Sequence, residues 1–330
     1  MYSYNHIPKK IWDILISTNS SNIYPFIVDV GARNGMFILE DRYCKISKIL
    51  GFEPNKVEFK KLIDGKTDTK QAGIKEPIFK QKEYINVCLW EKNTTKKFYV
   101  TEGPGASTLM GKTEKKKTEF FFPGKTKSYE KEHTKIRKSY LVRCKRLDDL
   151  CKKEIIDFLK IDTEGSELSI LRGSEKKLKN KEILFIKAEF VFFRYYKNHN
   201  IFGEIHSYLE NFGYRLIHID LDQPKYSPNR TNIPLTNDKG LMYAGDAYFC
   251  LDYTKFLFNR NINKRLSLIS FALGFTNLGI FYLQNSKDLS SEQMKEMLEI
   301  LEKKSFFRKA VDNWKSFPAK INNYFRVLKG

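Results

Sequence analysis

Cysteine is scarce in this chain and follows no metal-binding or disulfide pattern. The five cysteines are odd in number, scattered, and never spaced as C-x-x-C: Cys44, Cys88, Cys144, Cys151 and Cys250. Disulfide frameworks and zinc sites need paired, regularly spaced cysteines. The sequence therefore argues against both and indicates reduced thiols, as in a cytoplasm.

The amino-terminal sequence also lacks the apolar core of a signal peptide, because two lysines and an aspartate interrupt residues 9–13. A long apolar run is missing too. Residues 266–283 carry no charge and reach the lower limit of a membrane span, but glycines and polar residues break them between 274 and 279. The pattern predicts two short buried helices joined by a turn, in a cytoplasmic protein.

Negative charge is in short supply, and the formal net charge is +20 over 330 residues. Of the 59 basic residues 46 are lysine, and they are spread over the whole length. Recognition of nucleic acid favours arginine, whose fork binds phosphates and bases bidentately. The charge therefore argues against a nucleic-acid partner, although an enzyme acting on nucleic acid stays open as an alternative. A hydrophobic content of 41% suffices for a buried core.

The most informative motif is F-I-V-D-V-G-A-R-N-G at residues 26–35. Apolar residues around Asp29 predict a short buried strand, and Gly31 and Gly35 allow a sharp turn close to a ligand. A helix is expected over about 36–49, with its amino end facing the ligand. A turn between strand and helix without any ligand is the alternative reading.

A second element, G-F-E-P at residues 51–54, follows at the spacing of a nucleoside-binding unit. Glu53 comes directly after a predicted strand over 49–52, where a carboxylate accepts hydrogen bonds from ribose hydroxyls. Arg33 stands where a dinucleotide-binding loop needs its second glycine, which argues against NAD. The D-x-G-x-x-x-G form suits a cofactor with a positively charged amino-acid tail and no phosphate, namely S-adenosylmethionine.

A third motif, I-I-D-F-L-K-I-D-T-E-G-S-E-L, occupies residues 155–168. It predicts a central strand ending at Asp162 and a helix with Thr163 as its N-cap. A strand over 183–189 ends in Glu189. Ligands of open α/β sheets lie at the carboxyl ends of strands, so these acids should converge. The predicted cofactor-binding residues are Asp29, Gly31, Ala32, Asn34, Gly35, Glu53, Pro54 and Asp162.

The remaining pattern alternates strands and helices. Strands are predicted over 84–89, 97–101, 214–219 and 247–251, and a helix over 202–212; the order predicts a doubly wound α/β sheet with helices on both faces. Residues 103–138 are polar, basic and marked by Gly and Pro, which predicts either a mobile lid or a solvated loop.

Three regions result: an N-terminal helical segment over 1–22, a catalytic domain over 23–255 and a helical region over 256–330. A helix from Ser291 leads into a basic, aromatic tail. This region is expected to be a helical cap or a homodimer surface. The alternative is a peripheral contact with the inner face of the membrane.

Taken together, the motifs resemble the FkbM family of S-adenosylmethionine-dependent methyltransferases over about residues 23–255. The matching elements are D-V-G-A at 29–32, G-F-E-P at 51–54, L-D-D-L at 147–150, F-L-K-I-D-T-E-G-S-E-L at 158–168, L-R-G at 171–173, Glu189 and G-Y at 213–214. The family commonly has Asn where this chain has Arg33, and Asn34 follows. The resemblance implies a Rossmann-like class I methyltransferase fold, here with a C-terminal helical extension.

The resemblance further implies methyl transfer to a hydroxyl of a sugar or of a polyketide-derived alcohol; we expect a sugar of a cell-surface glycan or its precursor. An alcohol gives up its proton only to a base or beside a bound cation. The candidate bases are Asp162, Glu189 and His206, although Asp162 could instead pair with Lys160. No metal ligand is assigned. A nucleic-acid methyltransferase, a metal-dependent member and a non-catalytic partner of a glycosyltransferase remain alternatives.

Overall fold

The computed structural model describes residues 7–17, 23–112, 133–196, 198–221, 242–256 and 258–303. The chain forms two compact units. One consists of residues 24–258, and the other combines residues 1–23 with residues 259–330.

The larger unit is built on strands that form two sheets. The strands are β1 (Phe26–Val30), β2 (Lys48–Phe52), β3 (Gln81–Ile85), β4 (Cys88–Leu89), β5 (Thr94–Thr101), β6 (Ile136–Lys145), β7 (Ile156–Ile161), β8 (Ile183–Val191), β9 (Tyr214–Leu221) and β10 (Ala244–Leu251). Seven of them form the main sheet in the order β3-β2-β1-β7-β8-β10-β9. The first five strands in that order, from β3 through β2, β1 and β7 to β8, run parallel. Strand β10 is antiparallel to both of its neighbours, β8 and β9.

This strand order confirms the predicted Rossmann-like, doubly wound fold. The strand order reverses between β1 and β7, and ligands of such sheets bind at that reversal. Strands β7 and β8 lie at the centre and are almost continuously buried, as parallel strands covered on both faces require.

Helices connect the strands of the larger unit and make up the described part of the smaller one. The larger unit contains α2 (Asp41–Ile46), α3 (Lys56–Ile63), α4 (Asp68–Gln71), α5 (Leu147–Leu150), α6 (Glu167–Arg172), α7 (Glu175–Lys179) and α8 (Phe202–Asn211). The smaller unit contains α1 (Lys9–Ser17), α9 (Arg260–Ala272), α10 (Thr276–Ser286) and α11 (291–303).

The uncharged stretch at 266–283 forms two short helices joined by a turn, as predicted. Gly279 of α10 lets the two helices approach closely, because a Cβ there would lie 2.9 Å from the Phe271 ring. The Ser267 hydroxyl donates to the Gly279 carbonyl at 2.8 Å. Among the described helices none is long and apolar enough to span a bilayer. The basic tail over 304–330 lies outside the described residues.

Two predicted helix starts are wrong. The helix expected over 36–49 begins at Asp41, because Glu40 takes the N-cap position and its carboxylate accepts from the Arg42 N–H at 2.7 Å. Thr163 does not cap α6, which begins at Glu167. Between Thr163 and Glu167, Glu164 and Gly165 have φ values of 57° and 108°. Positive φ values of this kind do not occur within a right-handed α-helix.

The strand predicted over 84–89 is also wrong as a single element. Strand β3 ends at Ile85, and β4 belongs to a second sheet with the order β4-β6-β5. Residues 97–101 lie in β5, which pairs antiparallel with β6. The start of β6 falls in the polar stretch that was predicted to be a loop.

Candidate active site

A cavity of about 310 Å³ lies at the carboxyl ends of β1, β2 and β7. Its walls come from the loop after β1, the turn after β2, the loop after β7, and residues of the second sheet. Six of the predicted cofactor residues line it: Gly31, Asn34, Gly35, Glu53, Pro54 and Asp162. Asp29 and Ala32 are buried behind this wall.

The backbone of the loop after β1 is held too close to its neighbours for any side chain at Gly31. Its φ is 82°, and a Cβ there would lie 1.9 Å from the Asp162 carbonyl oxygen. The N–H groups of Gly31 and Ala32 both donate to the Phe52 carbonyl, at 3.0 and 3.1 Å. Because residue 31 is glycine, the carboxyl ends of β1, β2 and β7 can lie close together at the rim of the cavity.

Asp29 and Lys160 form a buried ion pair beside the cavity. The Lys160 Nζ lies 3.1 Å from Asp29 Oδ1 and 3.4 Å from Asp162 Oδ2. Burial raises the pKa of Asp29, and Lys160 partly opposes this rise. Asp29 Oδ2 has no hydrogen-bond partner among the described residues, so this fully buried carboxylate keeps an acceptor free.

Glu53 occupies the predicted place at the end of β2. One carboxylate oxygen accepts from the Asn55 N–H at 2.7 Å, and only 5% of the residue is exposed. Burial raises the pKa of Glu53 to about 7. The side chain is therefore near its titration point at neutral pH, and any ligand donating hydrogen bonds to it would favour the ionised form.

Asp162 is paired with Lys160, as the alternative reading of the sequence held. Desolvation raises the pKa of Asp162, but the ammonium groups of Lys160 and Lys187 outweigh it, and the pKa lies below its ordinary value. A carboxylate with a lowered pKa holds a proton weakly. Asp162 is therefore placed to position groups in the cavity and is poorly suited to remove a proton from an alcohol.

Glu189 has the opposite electrostatics. Strands β7 and β8 are neighbours, with Ile161 beside Ala188, so Asp162 and Glu189 follow at adjacent positions. Burial raises the pKa of Glu189 well above its ordinary value, and the nearby carboxylates of Glu164 and Asp162 raise it further. Glu189 does not line the cavity itself, but both of these neighbours do.

The structure does not bring His206 to this cavity. His206 lies on α8, where its ring stacks on Phe202 at a centroid distance of 5.7 Å and lies 6.2 Å from Phe249 of β10. These contacts are those of a helix packed on the sheet.

Sequence reasoning missed the part of the wall contributed by residues 104–109. Pro104, Gly105, Ser107 and Leu109 line the cavity. The Thr108 hydroxyl donates to the Glu164 carbonyl at 2.7 Å and ties this segment to the loop after β7. The start of the predicted insertion is thus an ordered wall of the cavity, while residues 113–132 of that insertion lie outside the described residues.

Arg33 departs from the usual family pattern and is held by two carboxylates. Its Nε donates to Glu58 at 2.9 Å, and its Nη2 contacts Asp68. Near its Nη1 stands Gly105, where a Cβ would lie 3.4 Å away. The guanidinium is therefore neutralised and braces the loop after β1 against α3, α4 and the 104–106 turn.

The described residues contain neither a metal-binding cluster nor a disulfide bond. Within the described ranges, no group of three or more His, Cys, Asp or Glu residues is arranged to hold a metal. All five cysteines are buried, and none of them forms a disulfide bond.

The strand order and the cavity at its reversal define a Rossmann-like α/β domain. The model of the methyltransferase FkbM domain matches residues 29–216, more than half of the chain. The chain belongs to the FkbM methyltransferase family.

Two individual proteins are similar to this chain. Methyltransferase sdnD of Sordaria araneosa is 29% identical over 164 residues, which are 46% of this chain and 61% of that protein. The chain thus spans about three fifths of the length of this curated relative. A crystal structure of Streptococcus pneumoniae Sp1610, a candidate tRNA (m1A22) methyltransferase, covers 90% of this chain and 96% of its own at 12% identity and a TM-score of 0.29. The fold assignment rests on the strand order and not on this last similarity.

Proposed function

We propose that this protein is an S-adenosylmethionine-dependent O-methyltransferase that acts on a hydroxyl of a sugar in a cell-surface glycan or its precursor. The observation that carries the proposal is the cavity at the strand-order reversal, in which a glycine turn, Glu53 and the loop after β7 meet. The family supplies the methyl-transfer chemistry.

The cavity fits the charge of this cofactor. Its ionisable wall is largely carboxylate, from Glu53, Asp162 and Glu164, and its cations Arg33 and Lys160 are engaged by carboxylates. A pyrophosphate would need free cations or amide groups there. Glu53 lines the cavity and would accept from the ribose hydroxyls, whereas Asp29 lies behind the wall and would act on the ligand through its ion pair with Lys160. When bound, the cofactor supplies a methyl group on positively charged sulfur.

We assign removal of the acceptor proton to Glu189. A carboxylate whose pKa is raised is the stronger base, and Glu189 lies within β8 at the position next to Asp162, which lines the cavity. The Lys160–Asp162 pair would fix the wall against which cofactor and acceptor are aligned. Alignment of attacking oxygen, carbon and leaving sulfur contributes much of the rate in such a displacement.

The carboxylates at the carboxyl ends of these strands also limit which kind of acceptor can bind. Asp162, Glu164, Glu189 and Asp246 lie close enough for their charges to interact. Lys160 and Lys187 at this edge are already paired with Asp162 and Asp246, so they are not free to bind a phosphate-bearing acceptor such as a nucleic acid, whereas neutral hydroxyls can donate to the carboxylates. This supports an uncharged sugar hydroxyl as the acceptor. The cysteines, none of which is in a disulfide bond, support a cytoplasmic location, which is part of the proposal.

The proposal is tested at two levels. Calorimetric titration should show binding of S-adenosylmethionine and of its demethylated product to the purified protein; absence of both contradicts the cofactor assignment. Mass spectrometry of surface glycans from cells with and without the gene should show the loss of one methyl group per modified sugar. An unchanged glycan alongside clear cofactor binding would contradict only the acceptor.

Glu53 makes cofactor affinity depend on pH. Because the pKa of Glu53 is about 7 in the free protein and bound ribose hydroxyls favour the carboxylate, binding releases a proton below pH 7. Affinity should be constant above pH 8 and fall about tenfold per pH unit below 7. The variant Glu53→Gln should bind about 10- to 100-fold more weakly at pH 8 and give a flatter profile. Titrations between pH 5.5 and 8.5 check this, and equally steep profiles for the two proteins would assign the proton to another group.

A further inference from the structure

The second sheet has one face that walls the cavity and one that points away from it. Phe98, Val142 and Cys144 are buried on the inner face, and Phe98 lines the cavity. Side chains alternate along a strand, so residues of the opposite parity form an outer face. We call this outer face the ribbon face; it carries Thr95, Lys97 and Tyr99 of β5 and Arg137, Ser139, Leu141 and Arg143 of β6.

Leu141 stands at the centre of the ribbon face with 72% of its surface exposed. Lys97 is its direct cross-strand partner, and Arg143 lies two residues further along the same strand and face. Side chains at such positions lie within about 4.5–8 Å of one another at Cβ. An apolar side chain is therefore presented to solvent between two exposed cations.

The cations of the ribbon face are mostly uncompensated. Arg137 pairs with Glu102 at 2.9 Å. Across the described stretches of the chain, no carboxylate forms an ion pair with Lys97 or Arg143, and the Lys97 ammonium lies 5.7 Å from the centre of the Tyr99 ring. The face thus combines positive charge, one aromatic ring and an exposed leucine.

We propose that the ribbon face docks the protein onto an anionic lipid surface. Lysine and arginine are attracted to anionic headgroups, and a leucine between them gains by entering the apolar boundary just below. A polynucleotide would use the cations but would offer an exposed leucine no apolar phase, which favours lipid as the partner. The inner face of the same sheet walls the cavity, so docking would hold the active site at a fixed side of the membrane surface. This inference does not depend on which acceptor is methylated.

The test measures co-sedimentation of the full chain with phosphatidylcholine vesicles containing 0 or about 30% phosphatidylglycerol. The test variant combines Lys97→Gln, Leu141→Gln and Arg143→Gln. The matched control combines Lys66→Gln, Lys75→Gln and Ile78→Gln, which also removes two exposed cations and one aliphatic side chain that is 62% exposed. Thermal melting confirms that both variants are folded.

The wild type should bind anionic but not neutral vesicles. The ribbon-face variant should bind about 100-fold more weakly. Each lost cation is expected to weaken binding roughly fivefold, and the loss of the leucine accounts for the remainder. The control should stay within about threefold of wild type. Equal losses in both variants would mean that net charge alone drives binding and would overturn the proposal, as would unchanged binding of the ribbon-face variant. The proposal is equally overturned if the wild type prefers a single-stranded RNA oligonucleotide to vesicles and the ribbon-face variant loses that preference.

Discussion

Replacement of Glu189 by glutamine should lower methyl transfer by a factor of about 100 to 1,000, because the variant keeps the shape of the neutral acid but cannot accept a proton. Stability and cofactor affinity should change little, since burial and neighbouring carboxylates already favour the uncharged form of Glu189. The measurement is the methylated fraction of surface glycan in cells complemented with each variant, together with calorimetric titration of the purified proteins.

His206→Phe is the matched control for this variant. Phenylalanine keeps the ring that packs against Phe202 but removes the imidazole, so activity should stay within about twofold of wild type. The rate of wild type should also rise with pH as Glu189 ionises, and that rise should disappear in Glu189→Gln. Full activity of Glu189→Gln beside an inactive Asp162→Asn would transfer the role of base to Asp162.

Gly31→Ala should destabilise the larger unit by about 3 kcal/mol or more and abolish measurable cofactor binding. The left-handed backbone alone costs a side chain about 1–2 kcal/mol, and the added Cβ would lie 1.9 Å from the Asp162 carbonyl oxygen. The loop cannot yield without breaking the hydrogen bonds from Gly31 and Ala32 to Phe52. Thermal melting should show a fall of about 6–12 °C.

A second glycine provides the control. Gly203 lies in α8, has no left-handed φ, and a Cβ there would have no atom within 4 Å. Gly203→Ala should therefore leave cofactor binding unchanged and raise stability by about 0.5–1 kcal/mol, the helix propensity difference between the two residues. A similar loss for both variants would show that the larger unit tolerates no added methyl group and would remove the special role of Gly31.

The central strands of the main sheet were predictable because each of them carries its own signal. Apolar runs predicted β1, β7 and β8, and the acids directly after β2 and β7 marked the edge at which the cavity lies. Helix starts were less predictable, because a start depends on which polar side chain reaches the free N–H groups. Thr163 is a good capping residue by type, but its own N–H and hydroxyl both donate to Glu167 at 2.9 Å, and the helix begins at Glu167.

The roles of the individual carboxylates could not be predicted from the sequence. The sequence placed both Asp162 and Glu189 at strand ends, whereas in the structure Asp162 directly follows β7 and Glu189 lies within β8. Their pKa values move in opposite directions. Burial and the neighbouring carboxylates raise the pKa of Glu189, whereas at Asp162 the ammonium groups of Lys160 and Lys187 outweigh the effect of burial. The second sheet was also missed. Strand β6 buries only alternate residues, and its partner β5 lies about forty positions earlier in the chain, so no continuous apolar run marks the pairing.

The pairing of β1 with β7 has a consequence for synthesis of the chain. Asp29 pairs with Lys160, so β1 can pair with β7 only after more than a hundred further residues have been synthesised. At roughly 5–20 residues per second, the ribosome takes on the order of ten seconds to supply that strand. During this interval the apolar residues Ile27 and Val28 lack one of their two neighbouring strands. The nascent amino-terminal half should therefore be a client for chaperones that bind exposed β-strands, and slower translation of residues 60–155 would lengthen that period.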